Sequence, residues 1–349
     1  MTKAAHPPIF DGHNDVLLRL WEGGPDAHAG FAEGSDGHID LPRAREGGFA
    51  GGFFAIFVPG GIELDMTQFE SAAYDIPMPA PLSQDEGWCV TRAQADILLA
   101  LEAQGALAVC RSVSDIRAAM DAGIVAAILH IEGAEAIGPD LEELDTLYDL
   151  GLRSVGPVWS RDTIFAHGVP FRFPSDGDIG PGLTEHGKRL VARANVLGMV
   201  VDTSHLNVAG FWDVAETNTP LVATHSNAHA ICPSSRNLTD VQLRAIGETR
   251  GIVGLNFGTG FLRPDGQMKQ DGAMDWVIRH LDHMIALAGE DHVALGSDFD
   301  GALVPQEIGS VAGLGAVRDV MDAAGYGDDL IARICHRNWL DALQRIWGA

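Results

Sequence analysis

Six ionisable side chains sit where short apolar runs end in this 349-residue chain, and their types suit one kind of chemistry. His13 and Asp15 follow the run near Pro8, and Glu132 closes VAAILHIEG. His205 closes GMVVDTSH, His225 lies in PLVATHS, and Asp298 lies in HVALGSDFDG. Imidazole and carboxylate are ligands that zinc accepts. Four protein groups around one ion would close the site, whereas five shared between two ions leave positions open for water. Glu132 suits a bridging role, because the two oxygens of a carboxylate bind independently. Two cations about 3.5–4 Å apart acidify a shared water and polarise a substrate carbonyl.

Taken singly, these residues allow other uses. His13 and Asp15, two apart on an extended segment, face the same way, but such a pair also serves as a cap. Glu132 could cap the next helix. His225 with His229 has the spacing of a helical pair, yet His225 ends a strand-like run. His280 and His283 read as the solvated face of an outer helix, and His130 as a supporting group beside Glu132. The convergence of six suitable side chains on five strand ends is what carries the reading.

Strands are the elements that must position them. Eight apolar, β-branched runs lie near Pro8, Phe54, Ile128, Val155, Val201, Val222, Val253 and Leu295, alternating with stretches of helical spacing. That rhythm predicts an α/β fold, a (β/α)8 TIM-type barrel formed as one domain over residues 1–349, with its site at the C-terminal mouth. Thr91 is placed as the cap of TRAQADILLALEAQ, and Thr184 as the cap of TEHGKRLVARANVLG, which stops at Gly198. A helical region runs from Leu330 to Trp347. The Pro-rich segment 60–87 reads as an irregular excursion, and 164–182 as a loop able to wall or cover the site.

Composition narrows the partners. A formal net charge of −25 opposes nucleic acid and anionic lipid. No run approaches the ~20 apolar residues of a membrane span. The N-terminus, MTKAAHPPIFDGHND, turns polar before a signal-peptide core forms, and the four cysteines make no C-x-x-C pair. A soluble cytoplasmic protein is the expectation.

The motifs DGHND (11–15), IEG (131–133), DTSH (202–205), ATHS (223–226), SRNLTD (235–240) and GSDFDG (296–301) together resemble the membrane dipeptidase (renal dipeptidase) family, the M19 metallopeptidases of the amidohydrolase superfamily. The resemblance runs from about Ile9 to Trp347. It implies a zinc-dependent dipeptidase, tolerant of a C-terminal D-residue, that hydrolyses a small-molecule dipeptide and forms a homodimer. It implies one Zn2+ on His13, Asp15 and Glu132, and a second on Glu132, His205 and His225. Asp298 would shuttle the proton, and Arg236 would hold the substrate carboxylate, with Trp159 and Asn237 as further substrate contacts. Three positions depart from the family pattern: Trp159 where a histidine is usual, Glu135 where Gly-Gly-His is frequent after the glutamate, and Gly258 after Asn256 and Phe257. His167 is a candidate for the missing imidazole. These departures leave open a different two-metal amide hydrolase acting on N-acyl amino acids or cyclic amides. A non-catalytic zinc-binding protein of the same fold is a further reading, against which Asp298 counts, since a structural site needs no proton shuttle.

Overall fold

A computed structural model describes residues 6–60, 65–217 and 220–348. Residues 1–5, on which the N-terminal reading partly rests, and 61–64 of the Pro-rich excursion lie outside these. The strands are β1 (Ile9–Asn14), β2 (Phe49–Phe57), β3 (Tyr74–Ile76), β4 (Leu107–Val109), β5 (Val125–Glu132) and β6 (Leu152–Gly156). They continue with β7 (Phe171–Phe173), β8 (Val200–Val201), β9 (Val222–Ala223), β10 (Ile252–Leu255) and β11 (Val293–Leu295).

The closed (β/α)8 barrel expected from the sequence does not form. The parallel strands divide into two sheets, giving an open half-barrel. One sheet has six strands in the order β1-β2-β5-β6-β8, with β4 also against β5; the other has the order β11-β10-β9. Among the described residues, single bridges are what remains between them, Asp202 with Val222 and Asn14 with Phe299. The reason is local. β8 and β9 are two residues long, and the polar residues that follow take the backbone donors a ladder would use. Asp202 Oδ1 accepts from the backbone N–H groups of Ser204 and Thr224, and Ser204 Oγ accepts from His225 N–H. At the other gap the Asp11 carboxylate accepts from Ser297 N–H at 2.6 Å.

Alternation along the strands sorts the apolar residues into two layers. Phe10, Phe53, Ile128, Val200, Val222, Ile252 and Ala294 pack with Trp339 in an inner cluster. Ile9, Phe54, Leu129, Val201, Val253 and Leu295 face outward under the helices. Trp339, from the final helix Asn338–Trp347, fills the interior and donates its indole N–H to Leu295 O at 2.8 Å. Its approach explains Gly12: a Cβ there would meet Thr224 O at 2.3 Å and the Trp339 ring at 2.6 Å.

Thr184 caps Glu185–Val196 as expected, accepting from Gly187 N–H. Thr91 does not cap. Its helix starts earlier, at Gln84, behind a capping box formed by Ser83 and Glu86, and Thr91 is buried in the helix interior. The Pro-rich excursion and the 164–182 loop are joined: β3 pairs antiparallel with β7, so two segments distant in sequence form one flap. No helix among the described residues is long and apolar enough to cross a membrane.

Candidate active site

Strand ends deliver the ionisable groups to one place. Asp15 precedes the helix Val16–Glu33 but makes no side-chain capping bond there. Its Oδ2 lies instead 3.4 Å from His13 Nε2. Glu132 Oε1 lies 3.5 Å from His13 Nε2, 2.9 Å from His205 Nε2 and 3.2 Å from His225 Nε2. The helix that follows Glu132 begins at Glu142, so Glu132 does not cap it. The His13 and His225 rings stack with centroids 3.8 Å apart.

Hydrogen bonding fixes how His225 is presented. Thr224 Oγ1 donates its one proton to Asp202 Oδ2 at 2.6 Å, so it must accept from His225 Nδ1–H at 2.8 Å. His225 Nε2 is therefore an acceptor, aimed at another acceptor in Glu132. Among the described residues, neither nitrogen of the buried His13 has a hydrogen-bond partner. Buried acceptors facing one another, and an unpartnered imidazole, are the condition that a bound cation relieves.

Three residue groups could hold a metal ion: His13 with Asp15 and Glu132; Glu132 with His205 and His225; and His13 with Asp202 and His225. The first two share Glu132 and have the memberships that the resemblance implied. In the third, Asp202 is already engaged by Ser204 and Thr224. Its place is behind His225, which it orients through Thr224. Ser160 stands in the same relation to His205, with Oγ 3.1 Å from Nδ1.

Charge within the cluster is unbalanced in the same sense. Burial opposes protonation of His13, but Glu132 and Asp15 outweigh it and push its pKa up to about 10. Burial raises Glu132 well above the usual carboxylate range, and Asp15 and Asp298 add to the rise. Burial, with Arg236 and His13 nearby, holds His205 and His225 well below an ordinary imidazole. His13 offsets only part of this, since burial still holds Glu132 high against its charge and keeps His205 and His225 neutral, with lone pairs a cation could take.

A cavity of about 300 Å³ opens onto this cluster, lined by Asp15, Glu132, His205, Arg236, Asp298 and Trp159 among others. Asp298 has φ 60°, and its Oδ2 accepts from Asn256 Nδ2 at 2.9 Å. A Cβ at Gly301 would meet Asp15 Oδ2 at 2.1 Å and Asp298 Oδ1 at 2.7 Å, so the chain crosses close above both carboxylates. Arg236 is 3% exposed, and among the described residues it forms no ion pair. Its guanidinium donates to the carbonyls of Ser204 and His225, while Nε has no partner. Burial lowers its pKa to about 10.

A scan against family models matches residues 3–348 to the membrane dipeptidase family, peptidase family M19. The chain belongs to this family. As a member it is a metallo-hydrolase that acts on peptide bonds. It is 51% identical to a metallopeptidase from Rhodobacter sphaeroides solved with a phosphinate mimic of the dipeptide L-Ala-D-Ala. That superposition has a TM-score of 0.96 and covers 98% of this chain and 100% of the other. The M19 dipeptidase AC is likewise 51% identical, with a TM-score of 0.97 over 99% of this chain and 100% of that one. An uncharacterized protein in the pqqA 5′ region of Klebsiella pneumoniae is 46% identical over 244 residues, 70% of this chain and 90% of that protein.

Several sequence expectations land elsewhere in this M19 chain. Asn237 does not line the cavity; its Nδ2 donates to the carbonyls of Cys232 and Phe261. His167, the candidate for the missing imidazole, does not line the cavity: its Nδ1 lies 2.8 Å from Asp162 and its ring packs on Gly180. His280 is fully buried rather than solvated, accepting from Ala228 N–H and donating to Leu262 O. Asn256, Ser160 and Thr224 were missed as supporting residues. Thr224 lies within the ATHS motif and Asn256 beside the Gly258 departure, but a supporting role has no spacing of its own.

The relay behind His225 gives a direct test. Thr224→Val keeps the side-chain shape and removes the hydroxyl. We expect metal affinity to fall by roughly 10- to 100-fold, read as metal lost to a competing chelator at equilibrium. Unchanged retention would mean that packing alone orients His225.

Proposed function

We propose that this chain is a two-zinc dipeptidase in which Glu132 bridges the metals, with His13 and Asp15 completing one site and His205 and His225 the other. The observation that carries the proposal is the sharing of Glu132 between two metal-capable groups at the floor of a cavity that also holds an unpaired, buried Arg236. Zinc bound there would acidify a water and polarise the scissile carbonyl.

The protein's own groups supply the rest. Asp298, held by Asn256 at the cavity wall, accepts the proton of the attacking water and passes it to the leaving amine nitrogen. Arg236, a cavity-lining guanidinium without a carboxylate partner among the described residues, holds the free carboxylate of the substrate and so fixes which bond reaches the cluster. The structure of the Rhodobacter sphaeroides relative with a dipeptide mimic supports a dipeptide as the substrate.

The deciding experiment is hydrolysis of L,L- and L,D-dipeptides by zinc-loaded protein, with the matching dipeptide amides and N-acyl amino acids alongside. Cleavage of free dipeptides is expected. Arg236→Ala should lower kcat/KM for them by roughly 10- to 100-fold, the worth of a hydrogen bond to a charged group, and should affect the amides much less. Equal losses on both would remove Arg236 from carboxylate binding. Silence on every dipeptide, with cleavage of N-acyl amino acids, would transfer the activity to that class.

A further inference from the structure

Two of the three departures from the family pattern meet in space. Glu135, just beyond Glu132, pairs with Arg161, two residues beyond Trp159, at 2.9 Å. The pair is closed to solvent, with Arg161 0% and Glu135 6% exposed. The remaining nitrogens of Arg161 donate to Gly60 O at 2.9 Å and Val58 O at 2.6 Å, which ties down the segment leaving β2. The guanidinium carbon also lies 5.8 Å from the Trp159 ring centroid and 5.9 Å from that of Phe57. One buried ion pair thus holds the two rings in a fixed relation.

Those rings begin an aromatic wall along the cavity. Phe57 and Trp159 meet edge-on at 4.8 Å, Trp159 and Phe171 at 5.5 Å, and Phe171 stacks on Phe261 at 6.1 Å. All four line the cavity, and Phe57, Trp159 and Phe171 keep part of their surface exposed to it. The wall has two ends. Trp159 lies 6.0 Å from the His205 ring, beside the metal-capable cluster, and Phe261 lies 5.7 Å from the Arg236 guanidinium. A dipeptide with its scissile carbonyl at the cluster and its carboxylate at Arg236 has one residue spanning that interval, the C-terminal one.

We propose that Phe57, Trp159, Phe171 and Phe261 form a subsite for a bulky apolar side chain on the C-terminal residue of the substrate, with Glu135 and Arg161 as its positioning residues. This rests on the dipeptidase reading above. The only hydrogen-bonding group among the wall's four side chains is the Trp159 indole N–H. A charged side chain there would lose water without gaining a partner, whereas an apolar one gains by leaving water.

The test is the ratio of kcat/KM for Ala-Phe to that for Ala-Gly, set against the ratio for Phe-Ala to Gly-Ala, in zinc-loaded full-length protein. The wild type should favour Ala-Phe by about tenfold or more, the discrimination an apolar pocket gives for a side chain of this kind. The second ratio should be the smaller. Trp159→Ala should shrink the first ratio by about tenfold, and Trp159→Phe should restore most of it. Glu135→Gln should shrink it too. Each ratio is taken within one preparation, so loss of folded protein does not move it. Dipeptide cleavage with no C-terminal preference, or a preference that survives Trp159→Ala, would overturn the subsite while leaving the dipeptidase reading intact. No cleavage of any dipeptide would remove both.

Discussion

Asp298→Asn should retain its metal and lose turnover by roughly 10²- to 10⁴-fold, the usual contribution of a positioned proton-transfer group. The substitution is close to isosteric, and asparagine tolerates the left-handed backbone at this position, where φ is 60°. The side-chain carbonyl can still accept from Asn256 Nδ2, so the local hydrogen bond survives. Asp298 belongs to none of the three metal-capable groups, which separates its effect from that of losing a ligand. What disappears is a carboxylate that can take a proton from water and return it to an amine. Metal content, measured on the same protein used for kinetics, should match the wild type. Turnover within a few-fold of the wild type would exclude Asp298 as the proton carrier.

That residue was legible in the sequence because strands end abruptly. A polar group that closes an apolar run has few places to go, so His13, Glu132, His205 and His225 could be put at one end of the sheet without coordinates. Closure of the sheet was a different matter. It depends on hydrogen bonds between β8 and β9 and between β1 and β11, where the side chains of Asp202, Ser204 and Asp11 accept donors that a ladder would have used. Strand propensity reports on the apolar run and carries nothing about that competition. His280 shows a related limit. Its i, i+3 spacing with His283 fits a solvated face, but only the fold brings Ala228 N–H and Leu262 O to its two nitrogens. Glu135 and Arg161 stand 26 residues apart at the exits of two strands, and each alone looks like an ordinary surface charge.

Glu135→Ala should be the most destabilising of the substitutions considered, lowering the unfolding free energy by about 3–5 kcal/mol, because it leaves a buried guanidinium without its counter-charge. Arg161 has no access to water, and its hydrogen bonds to Val58 O and Gly60 O supply dipoles rather than a full negative charge. Chemical unfolding followed by intrinsic fluorescence would read the change as a lower midpoint. Glu135→Gln, which can still accept one N–H bond, should lose less. Replacing both partners, as Glu135→Leu with Arg161→Met, removes the unpaired charge and should recover much of the loss. It should not recover all of it, because the carbonyls of Val58 and Gly60 then lose their donors. Full recovery of stability together with an unchanged Ala-Phe to Ala-Gly ratio would mean that the pair serves neither the loop nor the wall. Recovery of stability with a reduced ratio would separate the two contributions: the charge balance matters to folding, and the guanidinium's grip on Val58, Gly60 and the two rings matters to the choice of substrate.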